Sequence, residues 1–481
     1  MEKSTDRFNM GYVWMMCLVA ACGGLLFGYD WVVIGGAKPF YEAYFSITDP
    51  AQSGWAMSSA LLGCVLGAVI SGWCSDKFGR RSPLILAAVL FSISAWGTAI
   101  ASSFDWFVFY RIVGGVGIGL ASALSPVYIA EVSPAQRRGK FVSINQLTIV
   151  IGVLAAQLVN LMIAEPVDSS VSMEALAQTW NGQTGWRWMF GAELIPALAF
   201  LILMFFVPES PRWLAKAGKE DQARKVLQRI GGTHYAQSTL NDIQRSLGDD
   251  AKKIPFSELC SPKVRPVIVI GIVLAVFQQW CGINVIFNYA QEIFASAGFD
   301  INDTLKSIVA TGLINLIFTV LALPLVDRLG RRKLMLIGSL GLTVIYALIA
   351  GAYAFGILGL PVLLLVLAAI AIYALTLAPV TWVLLSEIFP NRVRGMAMAV
   401  GTFSLWIACF LLTYTFPLLN AGLGASGSFL LYGVICLMGF LFIKAKVPET
   451  KGITLEALET LLGGNREVDV DGVANDRAEA K

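Results

Sequence analysis

Apolar stretches of about 20 residues recur along the whole chain, each long enough to cross a hydrocarbon core as a helix. Lipid offers no partner to backbone N–H and C=O groups, so a chain built this way must satisfy them within helices. Of the 481 residues, 57% are hydrophobic and 14% are charged, a balance outside the range of soluble domains. Hydropathy predicts about twelve spans, near 12–34, 55–75, 83–101, 105–126, 141–163, 186–207, 266–295, 304–326, 333–353, 362–386, 396–416 and 427–445. The expected fold is an all-α membrane protein. The leading "MEKSTDRFNM" is polar and no small-residue cleavage site follows the next apolar run, which is therefore expected to be a retained first span.

Lys and Arg alternate between successive loops. They occur in "SDKFGRRS", "AEVSPAQRRGK", the segment 208–265, "VDRLGRRK" and "FPNRVRG", and are missing from 101–105, 161–185, 294–303, 351–361 and 417–428. This pattern predicts that the basic loops and both termini are cytoplasmic. The net charge of +3 then belongs to one membrane side, and no nucleic-acid partner is expected. The polar segment 208–265 contains a helix-like "KEDQARKVLQRI". It divides the chain into a bundle over 1–207, a cytoplasmic helical linker over 208–265, a second bundle over 266–446 and a tail over 447–481.

One histidine, His234, cannot build a His-based metal site or a catalytic triad. The eight cysteines mostly lie in apolar segments without ligand spacing, as Cys17, Cys64, Cys409 and Cys436 do, and are expected to be packing residues. No nucleophile and base, metal cluster or cofactor motif stands out, so neither an enzyme nor a cofactor is expected. "RIVGGVGIG" lies inside an apolar helix, away from the strand that a nucleotide loop needs. Gly115 and Gly119, like Gly24 and Gly28 or Gly63 and Gly67, have the four-residue spacing that lets helices approach closely in lipid.

The chain repeats itself. Glu131, Pro134, Arg138 and Gly139 of "AEVSPAQRRG" match Glu387, Pro390, Arg394 and Gly395 of "SEIFPNRVRG" at one offset, 387 − 131 = 256. "DKFGRR" at 76–81 matches "DRLGRR" at 327–332, with 327 − 76 = 251. Duplicated bundles with a site between them are a common transporter design. With "VPESPRW" at 207–213, "QQWCGIN" at 278–284 and "VPETKG" at 447–452, these motifs resemble the sugar porter family of the major facilitator superfamily. Within it the chain is most similar to bacterial proton-linked monosaccharide symporters, the xylose-proton symporters among them. The resemblance covers nearly the whole chain. It implies two six-helix bundles around a central cavity, alternating access, and a multi-pass protein of the plasma membrane, here a bacterial inner membrane.

Charges at the inner helix ends can pair across the bundles and hold an inner gate shut. The candidates are Asp76, Arg80, Arg81, Glu131, Arg138, Glu209 and Arg212, with second-half counterparts Asp327, Arg331, Arg332, Glu387, Arg394 and Glu449. Exposed pairs contribute only about 0–1 kcal/mol each, which suits a latch that must open in every cycle.

A sugar presents hydroxyls that donate and accept around apolar C–H faces, so neutral amides and aromatic rings make the matching site. The resemblance carries sugar contact to Gln146, Gln278, Gln279, Asn284, Asn315 and Trp382, with Phe27 as an aromatic contact. On a straight helix, with about 100° per residue, Asn284 would sit roughly 120° from Gln278 and 140° from Gln279. An unwound turn at Cys281–Gly282 would aim all three at one ligand, so the seventh span is predicted to be discontinuous. Leu405 and Asn288 depart from the glutamine and tyrosine of the xylose symporters' pattern, and Trp406 keeps an aromatic beside Leu405. The expected substrate is a pentose or hexose, or a cyclic polyol such as inositol.

Asp30 in "GGLLFGYDW" is a carboxylate inside an apolar run, where a lone charge costs a few kcal/mol. Asp30 lies late in an outward-running first span and Arg111 early in an inward-running fourth span, so topology gives them one depth. The resemblance implies the same pair in symporters, where facilitative carriers have a neutral residue. Burial and the arginine act on the acid's proton affinity in opposite senses, so a small rearrangement can switch Asp30 between binding and releasing a proton. The expected function is secondary active monosaccharide import by proton symport. A facilitative uniporter of the same fold and a non-transporting sugar sensor are the alternatives. Asn302 in "NDT" fits a glycosylation sequon, but the short loops point to a bacterial chain.

Overall fold

The computed structural model describes residues 8–167, 171–249, 255–262, 264–390 and 393–451; the side chains of 246–249, Phe256 and Asp327 lie outside that description, as does most of the expected tail. The predicted gate residue Asp327 therefore has a place in a helix but no described partner. Among the described residues, 11 helical stretches are long and apolar enough to cross a membrane. The last of them, Arg394–Lys446, breaks at Gly424, where φ is 67°, a conformation that only glycine adopts without a Cβ penalty. Residues 394–423 and 425–446 are thus two spans, and the expected twelve are reached.

In chain order the spans are Met10–Phe45, Pro50–Phe78, Arg81–Ile100, Phe104–Val132, Ala135–Ile163, Asn181–Met204, Arg265–Asn288, Ile301–Leu329, Arg331–Ala354, Leu360–Ile388 and the two parts of Arg394–Lys446. The basic loops share one face of the molecule, called here the basic face. Within the first half, spans 1 and 5 pack closely, as do spans 2 and 4. Apolar side chains gain nothing by leaving lipid, so tight packing requires small residues that let backbones meet. A Cβ on Gly28 would run into the Ile149 carbonyl of span 5, and one on Gly115 into the Ala60 carbonyl of span 2. The glycines of "RIVGGVGIG" are packing surfaces, as their spacing suggested.

Beyond span 6 the chain enters the linker. Ser210 caps a short helix, Pro211–Lys216, by accepting from Trp213 N at 3.3 Å, with proline at its first turn. A longer helix, Glu220–Asp249, turns sharply at Gly232 (φ 83°). It docks on the start of span 1: Asn9 N donates to Ile230 O at 2.8 Å, the Phe8 and Tyr235 rings meet edge to face at 5.2 Å, and the Arg229 guanidinium lies 4.8 Å from the Tyr12 ring centre. All eight cysteines are free; Cys260 is exposed and the others are buried or half-buried.

Gly115→Val should cost about 1–3 kcal/mol through overpacking. The check is thermal unfolding of the purified protein in detergent, where the midpoint should fall, while Gly351→Ala, with open space beside it, should leave it unchanged.

Candidate functional site

The acid singled out in the first span meets its partner. Asp30 and Arg111 are 1% and 2% exposed, and Arg111 Nη1 donates to Asp30 Oδ1 in a charge-assisted hydrogen bond. Arg111 Nη2 also donates to the Asp30 carbonyl at 3.2 Å, and the guanidinium stands 5.5 Å from the Phe190 ring centre. Among the described residues, Asp30 Oδ2 and Arg111 Nε have no hydrogen-bond partner. Oδ2 points at Gly114, where a Cβ would stand 2.8 Å from it. One carboxylate oxygen is held and the other is open.

A second buried acid lies nearby. Glu193, in span 6, is 1% exposed, its Oε1 has no hydrogen-bond partner among the described residues, and it lies within electrostatic range of both Asp30 and Arg111. It was not singled out from the sequence, although "FGAELIPA" places a carboxylate among apolar residues just as "LLFGYDW" does.

In the second half the seventh span is discontinuous where expected. Helix Arg265–Trp280 ends, Gly282 takes φ 86°, and Ile283–Asn288 begins a new helix before a second break at Tyr289. The break gathers the amides into one chain: Asn284 Nδ2 donates to Gln279 Oε1, Gln279 Nε2 to Gln278 Oε1, and Gln278 Nε2 to Tyr373 Oη at 2.7 Å. Tyr373 comes from span 10, which is itself interrupted at Thr376 (φ −123°, ψ −78°). Pro379 accounts for that interruption, since it has no N–H for the carbonyl four residues back and its ring clashes there. That proline marks the interruption in the sequence, but nothing in the sequence marks Tyr373 as the partner of Gln278.

Phe27 joins an aromatic cluster that spans both halves: its ring centre is 5.8 Å from Trp31 and 5.9 Å from Trp406, which are 6.0 Å from each other. Asn288 is buried with Oδ1 unpartnered, and its carbonyl approaches Gly35 of span 1. Asn315 is buried, Gln146 is half-buried and Trp382 is 36% exposed. Among the described residues these three have no side-chain hydrogen bond or ring contact to the amide chain or the aromatic cluster. Leu405, in place of an amide, is 4% exposed.

Residues 16–462 match the model of the "Sugar (and other) transporter" family. The chain is 41% identical over 486 residues to the D-xylose-proton symporter of Escherichia coli, covering 95% of this chain and 96% of that one. It is 39% identical to the arabinose-proton symporter of Bacillus subtilis, again over 95% and 96% of the two chains. A structure of the xylose transporter XylE from E. coli, in a partially occluded inward open conformation, superposes with a TM-score of 0.81 at 39% identity, covering 92% of this chain and 100% of that one. The chain belongs to the sugar transporter family of the major facilitator superfamily.

In this transporter the duplicated charges form duplicated clusters on the basic face. In the first half, Arg80 donates to both oxygens of Glu131 at 2.9 Å, Glu131 also accepts from Ser210 Oγ at 2.5 Å, and Glu209 accepts from Arg80 N at 2.8 Å. In the second, Arg331 Nη2 donates to Glu387 at 3.0 Å, Glu387 accepts from Thr450 Oγ1 at 2.5 Å, and Glu449 accepts from Arg331 N at 2.9 Å. Arg81 and Arg332 cap helix ends through the Phe205 and Lys444 carbonyls, each at 2.7 Å. Asp76 pairs with Lys216 at 2.8 Å, and Arg212 lies in the same linker helix, Pro211–Lys216. Arg138 and Arg394 donate to the carbonyls of Ala130 and Phe389.

The ion pairs Arg80–Glu131, Lys216–Asp76 and Arg331–Glu387 each close within one half and its linker, whereas the gate was expected to pair across the halves. On the opposite face contacts do cross. Lys38 pairs with Glu292, Asn302 exchanges two hydrogen bonds with the Val167 backbone at 3.0 and 3.2 Å, and Gln157 Nε2 donates to Thr311 Oγ1 at 3.3 Å.

The amide chain depends on the break at Gly282, where a Cβ would meet Tyr432 at a positive φ. Gly282→Ala should therefore cost about 1–3 kcal/mol, read as a lower midpoint in a thermal scan of tryptophan fluorescence. An unchanged midpoint would mean that the break is not strained against its neighbours.

Proposed function

We propose that this transporter carries a monosaccharide inward with a proton, with its basic face in the cytoplasm and Asp30 as the coupling acid. The observation that carries the proposal is the buried Asp30–Arg111 pair with one carboxylate oxygen unpartnered. One guanidinium lies within electrostatic range of two buried carboxyl groups, Asp30 and Glu193, so a single proton brings the set to neutrality, which burial in a medium of low dielectric favours. A proton on Asp30 weakens the hold on Arg111 and lets spans 1 and 4 rearrange; its loss restores the pair. If the loaded carrier turns only in the protonated state, the proton gradient drives accumulation. Relatives named as xylose- and arabinose-proton symporters support both the cargo class and the coupling.

The sugar is proposed to lie between the amide chain of Gln278, Gln279 and Asn284 and the aromatic cluster of Phe27, Trp31 and Trp406, with Gln146, Asn315 and Trp382 turning to it on closure. Amides supply donors and acceptors without a desolvated charge, and rings cover the C–H faces. Leu405 and Asn288 change the polar pattern, so the cargo is a pentose, a hexose or a cyclic polyol with one hydroxyl less firmly held than in xylose symporters. On the basic face, the two Arg–Glu clusters are proposed to join across the halves when that face closes.

Asp30→Asn in proteoliposomes should preserve sugar exchange and abolish gradient-driven accumulation. If accumulation persists, Asp30 is not the coupling acid; if uphill uptake is missing in the unaltered protein too, the protein is a uniporter. Gln279→Ala removes an acceptor and a donor from the site and should raise the apparent sugar KM by about tenfold, the effect of one hydrogen bond of about 1–2 kcal/mol, in an uptake assay with a panel of pentoses, hexoses and inositols.

A further inference from the structure

The face opposite the basic loops carries a charged contact that the proposed mechanism does not use. Lys38, 3% exposed near the end of span 1, lies 2.7 Å from Glu42 Oε1 on its own helix and 2.5 Å from Glu292 Oε1 in helix Ala290–Ser296 of the other half. The side chains of Glu42 and Glu292 are 12% and 26% exposed. The Lys38 ammonium also stands 5.8 Å from the centre of the Tyr289 ring. The lysine thus holds one acid from each half, in a place where an unpaired ammonium would cost several kcal/mol.

Separating the halves on this face treats the two acids differently. Glu42 is four residues from Lys38 and travels with it, so the ammonium keeps a partner throughout. Glu292 leaves with the other half, and as the more exposed of the two it is solvated by water entering the opening. We propose that Lys38, Glu42 and Glu292 form the latch of this face, in which Lys38 is shared between halves when the face is closed and passes to Glu42 alone when it opens. Glu292 then favours the closed state, and Glu42 favours the open one by sparing it a stranded lysine. The inference rests on the alternating access of the proposed function, but on neither the identity of the sugar nor the coupling acid.

Distances between spin labels on this face read the latch directly, in lipid nanodiscs at one pH without sugar or gradient. Suitable sites are Thr48→Cys in the first half and Ile357→Cys in the second, both exposed, in a Cys260→Ser background because Cys260 is the exposed native thiol. Glu292→Gln should raise the open-to-closed ratio by about tenfold, and Glu42→Gln should lower it by a similar factor, as expected of an ordinary coupling between two states. Glu292→Asp, which keeps the charge with a shorter reach, should fall between the unaltered protein and Glu292→Gln, and it stands in for the glutamine variant if that one fails to fold. With Lys38→Met present, neither acid should matter. Shifts of the same sign for both acids, no shift for either, or shifts that persist without the lysine would overturn the proposal. A protein that lacks proton coupling but shows the opposite shifts would keep the latch and lose only the symport reading.

Discussion

The buried ion pair between Asp30 and Arg111 is the constraint around which the first half is arranged. Two charges at this depth persist only when each satisfies the other. The surroundings serve that need: Gly114 leaves room for the second carboxylate oxygen, the Phe190 ring covers the guanidinium, and the Asp30 carbonyl takes another of its N–H groups. The glycine contacts between spans 1 and 5 and between spans 2 and 4 fix the helices that carry the pair. Among the described residues Asp30 Oδ2 and Glu193 Oε1 remain unpartnered, and these are the oxygens at which the proposed proton would bind.

The duplicated halves divide their labour. Both keep the same cluster of arginine, two glutamates and a hydroxyl on the basic face, formed by Arg80, Glu131, Glu209 and Ser210 in one and by Arg331, Glu387, Glu449 and Thr450 in the other. Away from that face they differ. The first half holds the Asp30–Arg111 pair on continuous helices, and the second holds amides beside broken ones. Backbone freed at Gly282 and Thr376 is proposed to let spans 7 and 10 reshape around a cargo, whereas spans 1 and 4 are proposed to rearrange only when the charge pair is broken by a proton. Described polar contacts between the halves lie opposite the basic face, and the described basic-face ion pairs stay within their halves.

Much of this was legible in the residues. Twelve spans follow from apolar length, the repeat from two offsets, the pairing of Asp30 with Arg111 from equal depth, and the break at Gly282 from the angles between three amides. The misses share a cause, which is that periodicity and motif do not report partners brought in from distant helices. Lys38 and Glu42 fell beyond the expected end of span 1, because that helix is 36 residues long and runs past the length that lipid requires. Glu193 and Tyr373 are single polar residues in apolar spans, and only packing reveals that one faces the ion pair and the other the amide chain. The basic-face charges were read as a latch across the halves; which partner each takes depends on the state of the carrier, and a sequence contains every state at once.

The central claim is that sugar and proton cross together. The most direct measurement is external pH, recorded in weakly buffered proteoliposomes containing the purified transporter when a transported sugar is added without any imposed gradient. Symport predicts an external alkalinisation that begins with sugar entry, scales with the amount of sugar taken up and is absent when a non-transported sugar is added. Sugar entry with no change in external pH would contradict the account and leave a uniporter of the same fold.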